Sequence, residues 1–178
     1  MKEASIIQLA KKQDIAAQKM LFEHYYEAVF LLCLRYVSKR EDAEELVLDA
    51  FQKAFAAIGQ FEYRGEGAFR AWISTIAVNL CIRFLKSQKG FIIELNENET
   101  ESIFIDDAAA IQNLMAKDLY QIIDSLPFGY KTVFNLYVME GMTHQQVAQM
   151  LGITENTSKS QLRKAKILLQ KKLQDYGK

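Results

Sequence analysis

Apolar residues recur at spacings of three and four along most of this chain, and that period sets the element type before anything else. Phe22, Tyr25, Tyr26, Val29, Phe30, Cys33, Tyr36 and Val37 form one stripe. After Ser38, Lys39 and Arg40 the period resumes in Leu46, Val47, Ala50, Phe51, Ala54, Phe55 and Ile58. A third stripe follows in Phe69, Trp72, Ile73, Ile76, Leu80 and Phe84. Each stripe predicts one buried face of an amphipathic helix. A shorter helix is expected over residues 3–12, and Gly59, Gly65 and Gly67 mark a loop between the second and third stripes. One proline (Pro127) and eight glycines in 178 residues argue strongly against a turn-rich all-β fold. The first module therefore reads as a compact bundle of about four helices.

The second module is helical and more sharply punctuated. A helix over roughly 109–125 should end at Leu126-Pro127, because proline disfavours helix in the residue before it. The next is expected from Phe128 to Met139, stopping at Glu140-Gly141. Thr143 with Gln146 fits a capping box, Gly152 suits a left-handed helix end, and Thr154 can cap the following helix. Two helices joined by a turn of three or four residues containing Gly152 make a helix-turn-helix pattern. On the last helix Leu162, Ala165, Leu169 and Leu173 are expected inward. Lys159, Arg163 and Lys166 are expected on one outward face, with Ser160, Gln161 and Lys164 beside it. Long donors near a helix start can enter a major groove and reach base edges. A solvated basic face is the alternative at this point.

Charge separates the modules. The 22 basic and 22 acidic residues cancel, which taken alone argues against nucleic acid. By segment the balance differs: residues 1–90 hold 13 basic and 11 acidic residues, 91–125 one and eight, and 126–178 eight and three. An acidic connector thus joins a near-neutral half to a basic one, and Asn96–Ser102 has neither an apolar residue nor a helical period. The expected architecture is all-α: two small helical domains, 1–90 and 109–178, joined by an acidic linker at 91–108. No apolar run approaches the ~20 residues of a membrane span, and no signal peptide is evident, so membrane insertion is not expected. Cys33 and Cys81 suit a reducing, cytoplasmic interior.

Two stretches carry a family resemblance. Leu126 to Tyr137, with Gly152-Ile153 and the run from Thr157 to Lys166, resembles region four of bacterial RNA polymerase sigma factors of the extracytoplasmic-function (ECF) group. Asp42 to Phe51, Tyr63 to Ile73 and Ile76 to Asn79 resemble region two of the same family. The resemblance implies a promoter-specificity subunit of RNA polymerase, with no enzyme activity and no cofactor. Thr157, Lys159, Ser160, Arg163 and Lys164 would face the upstream, −35 duplex. Arg64, Asn79, Arg83 and Lys86 would serve the melted −10 strand, and Asp42, Glu45, Leu48 and Asp49 would dock on core polymerase. Implied partners are the β′ clamp and β flap of core polymerase, duplex and single-stranded promoter DNA, and an anti-sigma factor. The linker would thread the polymerase's RNA path. Three positions depart from the family pattern: Leu48 replaces a frequent glutamine, Thr75 a commonly basic residue, and Asn156 a frequent glycine whose left-handed geometry asparagine tolerates.

Catalytic and metal chemistry find no support. His24 and His144 make no ligand spacing with Cys33 or Cys81, and His144 is expected as a polar surface residue. The loop around Arg64-Gly65-Glu66-Gly67 lacks the strand-to-helix context and lysine of a phosphate loop. A stand-alone helix-turn-helix regulator and a helical adaptor are the rival readings.

Overall fold

The structure, a computed structural model, describes residues 2–88 and 121–176. All regular structure among them is helical, and the chain divides into two compact units, Met1–Lys89 and Gly90–Lys178. The acidic linker and most of the helix expected over 109–125 lie outside the described residues.

The first unit contains α1 (Glu3–Lys11), α2 (Ile15–Tyr36), α3 (Arg40–Ala57), a 3-10 turn at Ile58–Gln60, and α4 (Ala68–Ser87). Helix α1 ends without glycine: Gln13 takes the left-handed conformation at φ 63°, and the Asp14 amide reaches back to the Leu9 carbonyl at 3.2 Å. Among the described residues Gln13 is the one non-glycine with positive φ. Asp14 then caps α2 by accepting from the Ala17 amide at 2.8 Å.

Helices α2, α3 and α4 pack on one another around Val29, Cys33, Val47, Ala50, Phe69, Ile73, Ala77 and Cys81, all of which exclude solvent almost completely. The α4 core differs from the expected stripe. Trp72, Ile76 and Phe84 are only half-buried, while Ala77, Val78, Ile82 and Leu85 fill the interior. A helix contacting two neighbours buries a wider arc than a single stripe, and small residues let the backbones approach. By length and composition α4 also qualifies as a membrane span, contrary to the expectation that nothing would. Its inward residues serve instead as the contact with α2 and α3.

In the second unit, residues 121–124 are helical and bury Ile122 and Ile123. Pro127 precedes α5 (Phe128–Phe134), which runs into one π turn at Asn135–Met139. Helices α6 (His144–Leu151) and α7 (Glu155–Tyr176) follow. Val133, Leu136, Val147, Leu151, Leu162, Ala165 and Leu169 form the core, and Leu173 is half-buried. Lys131, part of the basic count, is itself buried, with Nζ 2.9 Å from the Asp124 carboxylate.

Candidate nucleic-acid interface

The turn between α6 and α7 is built from local hydrogen bonds. Thr143 Oγ1 accepts from the Gln146 amide at 3.2 Å, and Gln146 Oε1 accepts from the Thr143 amide at 2.8 Å, completing the expected capping box. At the far end Gly152 is left-handed (φ 74°, ψ 37°), and the Ala148 carbonyl accepts from the amides of both Gly152 and Ile153, at 2.8 and 3.1 Å. Thr154 Oγ1 accepts from the Thr157 amide at 3.0 Å, so Thr154 caps α7 as expected. Asn156 lies within the first turn of α7 with no positive φ, so the left-handed residue of this turn is Gly152 alone.

Helix α7 sorts its polar residues into two faces. Lys159 and Lys166 are exposed, while Ser160, Arg163 and Lys164 are half-exposed. Thr157, Ser158 and Gln161 are buried. For Thr157 this corrects the expected DNA contact: it is 1 % exposed, and its hydroxyl is hydrogen-bonded to that of Thr154 at 2.9 Å. Gln161 likewise belongs to the interior rather than beside the basic face. The signal was present, since 157, 161, 165 and 169 follow one another at the inward spacing of four.

His144 is also not a plain surface residue. Its ring stacks on Tyr137 (centroids 4.2 Å apart, 23° between planes), and Nδ1 lies 2.9 Å from Ser158 Oγ. One side chain thus ties the π turn, α6 and α7 together. Burial and then the positive charge of Lys159 push His144 below its ordinary range; Glu155 opposes and Lys166 reinforces the shift.

In the first unit, Asn79, Arg83 and Lys86 are exposed on α4 at spacings of four and three. The Asn79 amide nitrogen donates to the Thr75 carbonyl at 2.8 Å. Arg64 lies in the loop before α4, its side chain 82 % exposed and 3.0 Å from Glu62. That loop is anchored by Phe61, which packs against Trp72 (4.9 Å) and Phe69 (5.7 Å), so Trp72 supports the loop from the edge of the core. One side chain from elsewhere also meets the loop: Glu3 accepts from the Tyr63 hydroxyl and the Gly67 amide, and also from the hydroxyl of Tyr25 on α2. Burial together with this carboxylate pushes both phenols above their ordinary range. Sequence periodicity offers no sign of Glu3. On α3, Glu45, Leu48 and Asp49 are exposed and Asp42 half-buried, and Leu48 at 55 % is a large apolar side chain left in solvent.

These features define a helical protein of two units, one ending in a helix-turn-helix with a basic outer face. Residues 21–91 match the family model for sigma-70 region 2, and residues 116–169 that for sigma-70, region 4. The ECF RNA polymerase sigma-E factor of Haemophilus influenzae is 27% identical over 183 residues, covering 97% of this chain and 95% of that protein. The ECF RNA polymerase sigma factor SigW of Bacillus subtilis is 24% identical over 180 residues, covering 95% of each. The solved structure of CnrH, in complex with the cytosolic domain of CnrY, shares the fold with a TM-score of 0.52 at 18% identity, covering 96% of both chains. The chain belongs to the sigma-70 family, in its ECF group. It is an RNA polymerase sigma subunit that directs promoter recognition and carries no catalytic activity of its own.

Proposed function

We propose that the two units divide promoter recognition between duplex and melted DNA. The observation that carries this is the outward face of α7, where Lys159, Ser160, Arg163, Lys164 and Lys166 follow a helix-turn-helix turn fixed at both ends by caps. Such a face suits the −35 duplex: arginine and lysine pair with guanine edges and phosphates, and serine suits any base. Thr157, with its hydroxyl engaged, is left out of this contact set.

Arg64, Asn79, Arg83 and Lys86 serve the −10 strand in this reading. Their exposure around the loop and along α4 supports it, and contacts from them to an extruded base would offset the few kcal/mol that unstacking costs. Asp42, Glu45, Leu48 and Asp49 dock on the β′ clamp, with Leu48 supplying apolar contact area. The second unit meets the β flap, and an anti-sigma partner holds the protein inactive in the cytoplasm. The CnrH structure, solved with the cytosolic domain of CnrY, supports looking for such a partner.

Transcription by core polymerase plus this protein on fragmented genomic DNA, with start sites sequenced, tests the division. Arg163→Ala should lower upstream-element discrimination by about 1–3 kcal/mol. Asn79→Ala should impair opening more than duplex binding. Unchanged promoter preference in the first variant, or equal losses in the second, would reject the respective assignment. Protection of a palindromic operator without polymerase would favour the stand-alone regulator.

A further inference from the structure

We propose that Glu3, at the opposite end of the unit's sequence, is the positioning residue that sets the −10 loop for strand capture. The inference rests on the reading of residues 61–67 as part of the strand-binding surface. Glu3 opens α1, whose Ile7 and Ala10 are buried in the first unit. Its Oε1 accepts from the hydroxyl of Tyr25, a buried residue of α2 whose ring packs 5.4 Å from Phe69. Its Oε2 accepts from the Tyr63 hydroxyl at 3.4 Å and from the Gly67 amide at 3.3 Å. One carboxylate oxygen is therefore fixed to the core, and the other holds two points of the loop.

Those two points flank the residues that matter. Gly67 sits at the N-cap of α4 with φ 80° and, being glycine, has no side chain with which to cap that helix. From 64 residues away Glu3 accepts from the amide of Gly67 itself, the bond that a Glu or Gln in place of Arg70 would make in a capping box, and an anion there also complements the positive end of α4. Arg64, between the two tethered positions, projects into solvent with Glu62 as its ion-pair partner. The tether thus fixes the flanks of the loop and leaves its tip to the DNA. Gly65 and Gly67 both have positive φ, so the loop backbone is bent sharply between its anchors. Without the carboxylate the same backbone would sample more arrangements, and Arg64 would meet an extruded base less often.

The test uses full-length protein assembled with core polymerase, comparing Glu3→Gln, Tyr63→Phe and Arg64→Ala. Opening is followed by a fluorescent base analogue in the non-template −10 strand, alongside affinity for core polymerase and the thermal midpoint of the first unit. Glu3→Gln replaces the charged acceptor, and Tyr63→Phe removes one tether while keeping its ring and the Tyr25 contact. Both should reduce open-complex formation, by up to about tenfold for Glu3→Gln, and flatten the preference among −10 bases. Core affinity should hold. Normal opening in both variants, with Arg64→Ala defective, overturns the tether. So does an opening loss that tracks the thermal midpoint with base preference intact, because that is a purely scaffolding role. Normal opening in Arg64→Ala instead rejects the loop reading itself, and the tether with it.

Discussion

Two glycines offer a controlled measurement of what the helix-turn-helix turn demands. A Cβ built on Gly152 or on Gly59 meets nothing within 4 Å, so neither site is closed to a side chain by packing. They differ in backbone: Gly152 stands at φ +74°, whereas Gly59, in the 3-10 turn after α3, has no positive φ. Alanine at Gly152 should meet left-handed strain of roughly 1–2 kcal/mol. Part of this, about 0.4–1 kcal/mol, is offset because alanine restricts the unfolded chain. Gly152→Ala should therefore destabilise the second unit by about 1 kcal/mol, a roughly fivefold rise in its unfolded fraction. Gly59→Ala has only the favourable part and should stabilise the first unit by about 0.4–1 kcal/mol. Amide hydrogen exchange in a urea series separates the units, read at Leu162 and Ala165 for the second and at Val47 and Ala50 for the first. Gly152→Asn, which tolerates the left-handed region, should cost less than alanine. Equal signs for the two alanine variants, or asparagine costing as much as alanine at Gly152, would refute the backbone argument.

Other consequences are as direct. Phe69, fully buried against Tyr25, Phe61 and Trp72, should cost about 3–5 kcal/mol when cut to alanine, read by exchange at Ala50. His144 binds its proton less readily when folded, so the unfolded state takes up more protons below pH ~6.5 and the second unit loses stability as the pH falls through that value. His144→Gln should flatten that slope between pH 7 and 5; an unchanged slope would show that other groups set it.

Much of the second unit was legible because its signals are local. The Thr143–Gln146 box, Gly152 and the Thr154 cap each act within four residues, and each formed as the residue types required. What polar identity disguised was direction. Thr157, Ser158 and Gln161 lie on the inward side of α7, and reading them by chemistry rather than by spacing put Thr157 and Gln161 on the wrong face. The α4 core departs from the apolar stripe for another reason: aromatic size favours Trp72 and Phe84, but contact with two neighbours buries Ala77, Val78 and Ile82. Gln13, left-handed without being glycine, and Glu3, meeting Gly67 across the chain, depend on tertiary contacts that no window of sequence contains.

The burial of Lys131 has a consequence for ionic strength. Its ammonium, on α5, is held beside Asp124 and adds nothing to the basic face of α7, which leaves that face Lys159, Arg163, Lys164 and Lys166. If these four neutralise phosphates, binding should fall with a slope of about −3.6 in log K against log salt concentration. A slope of about −6.3, that of all seven basic residues of 126–178 other than Lys131, would mean that cations beyond this face reach the backbone. At about −3.6, a fourfold rise in salt weakens binding by about 150-fold, so salt keeps strong leverage over where the second unit settles on DNA even with only four cations engaged.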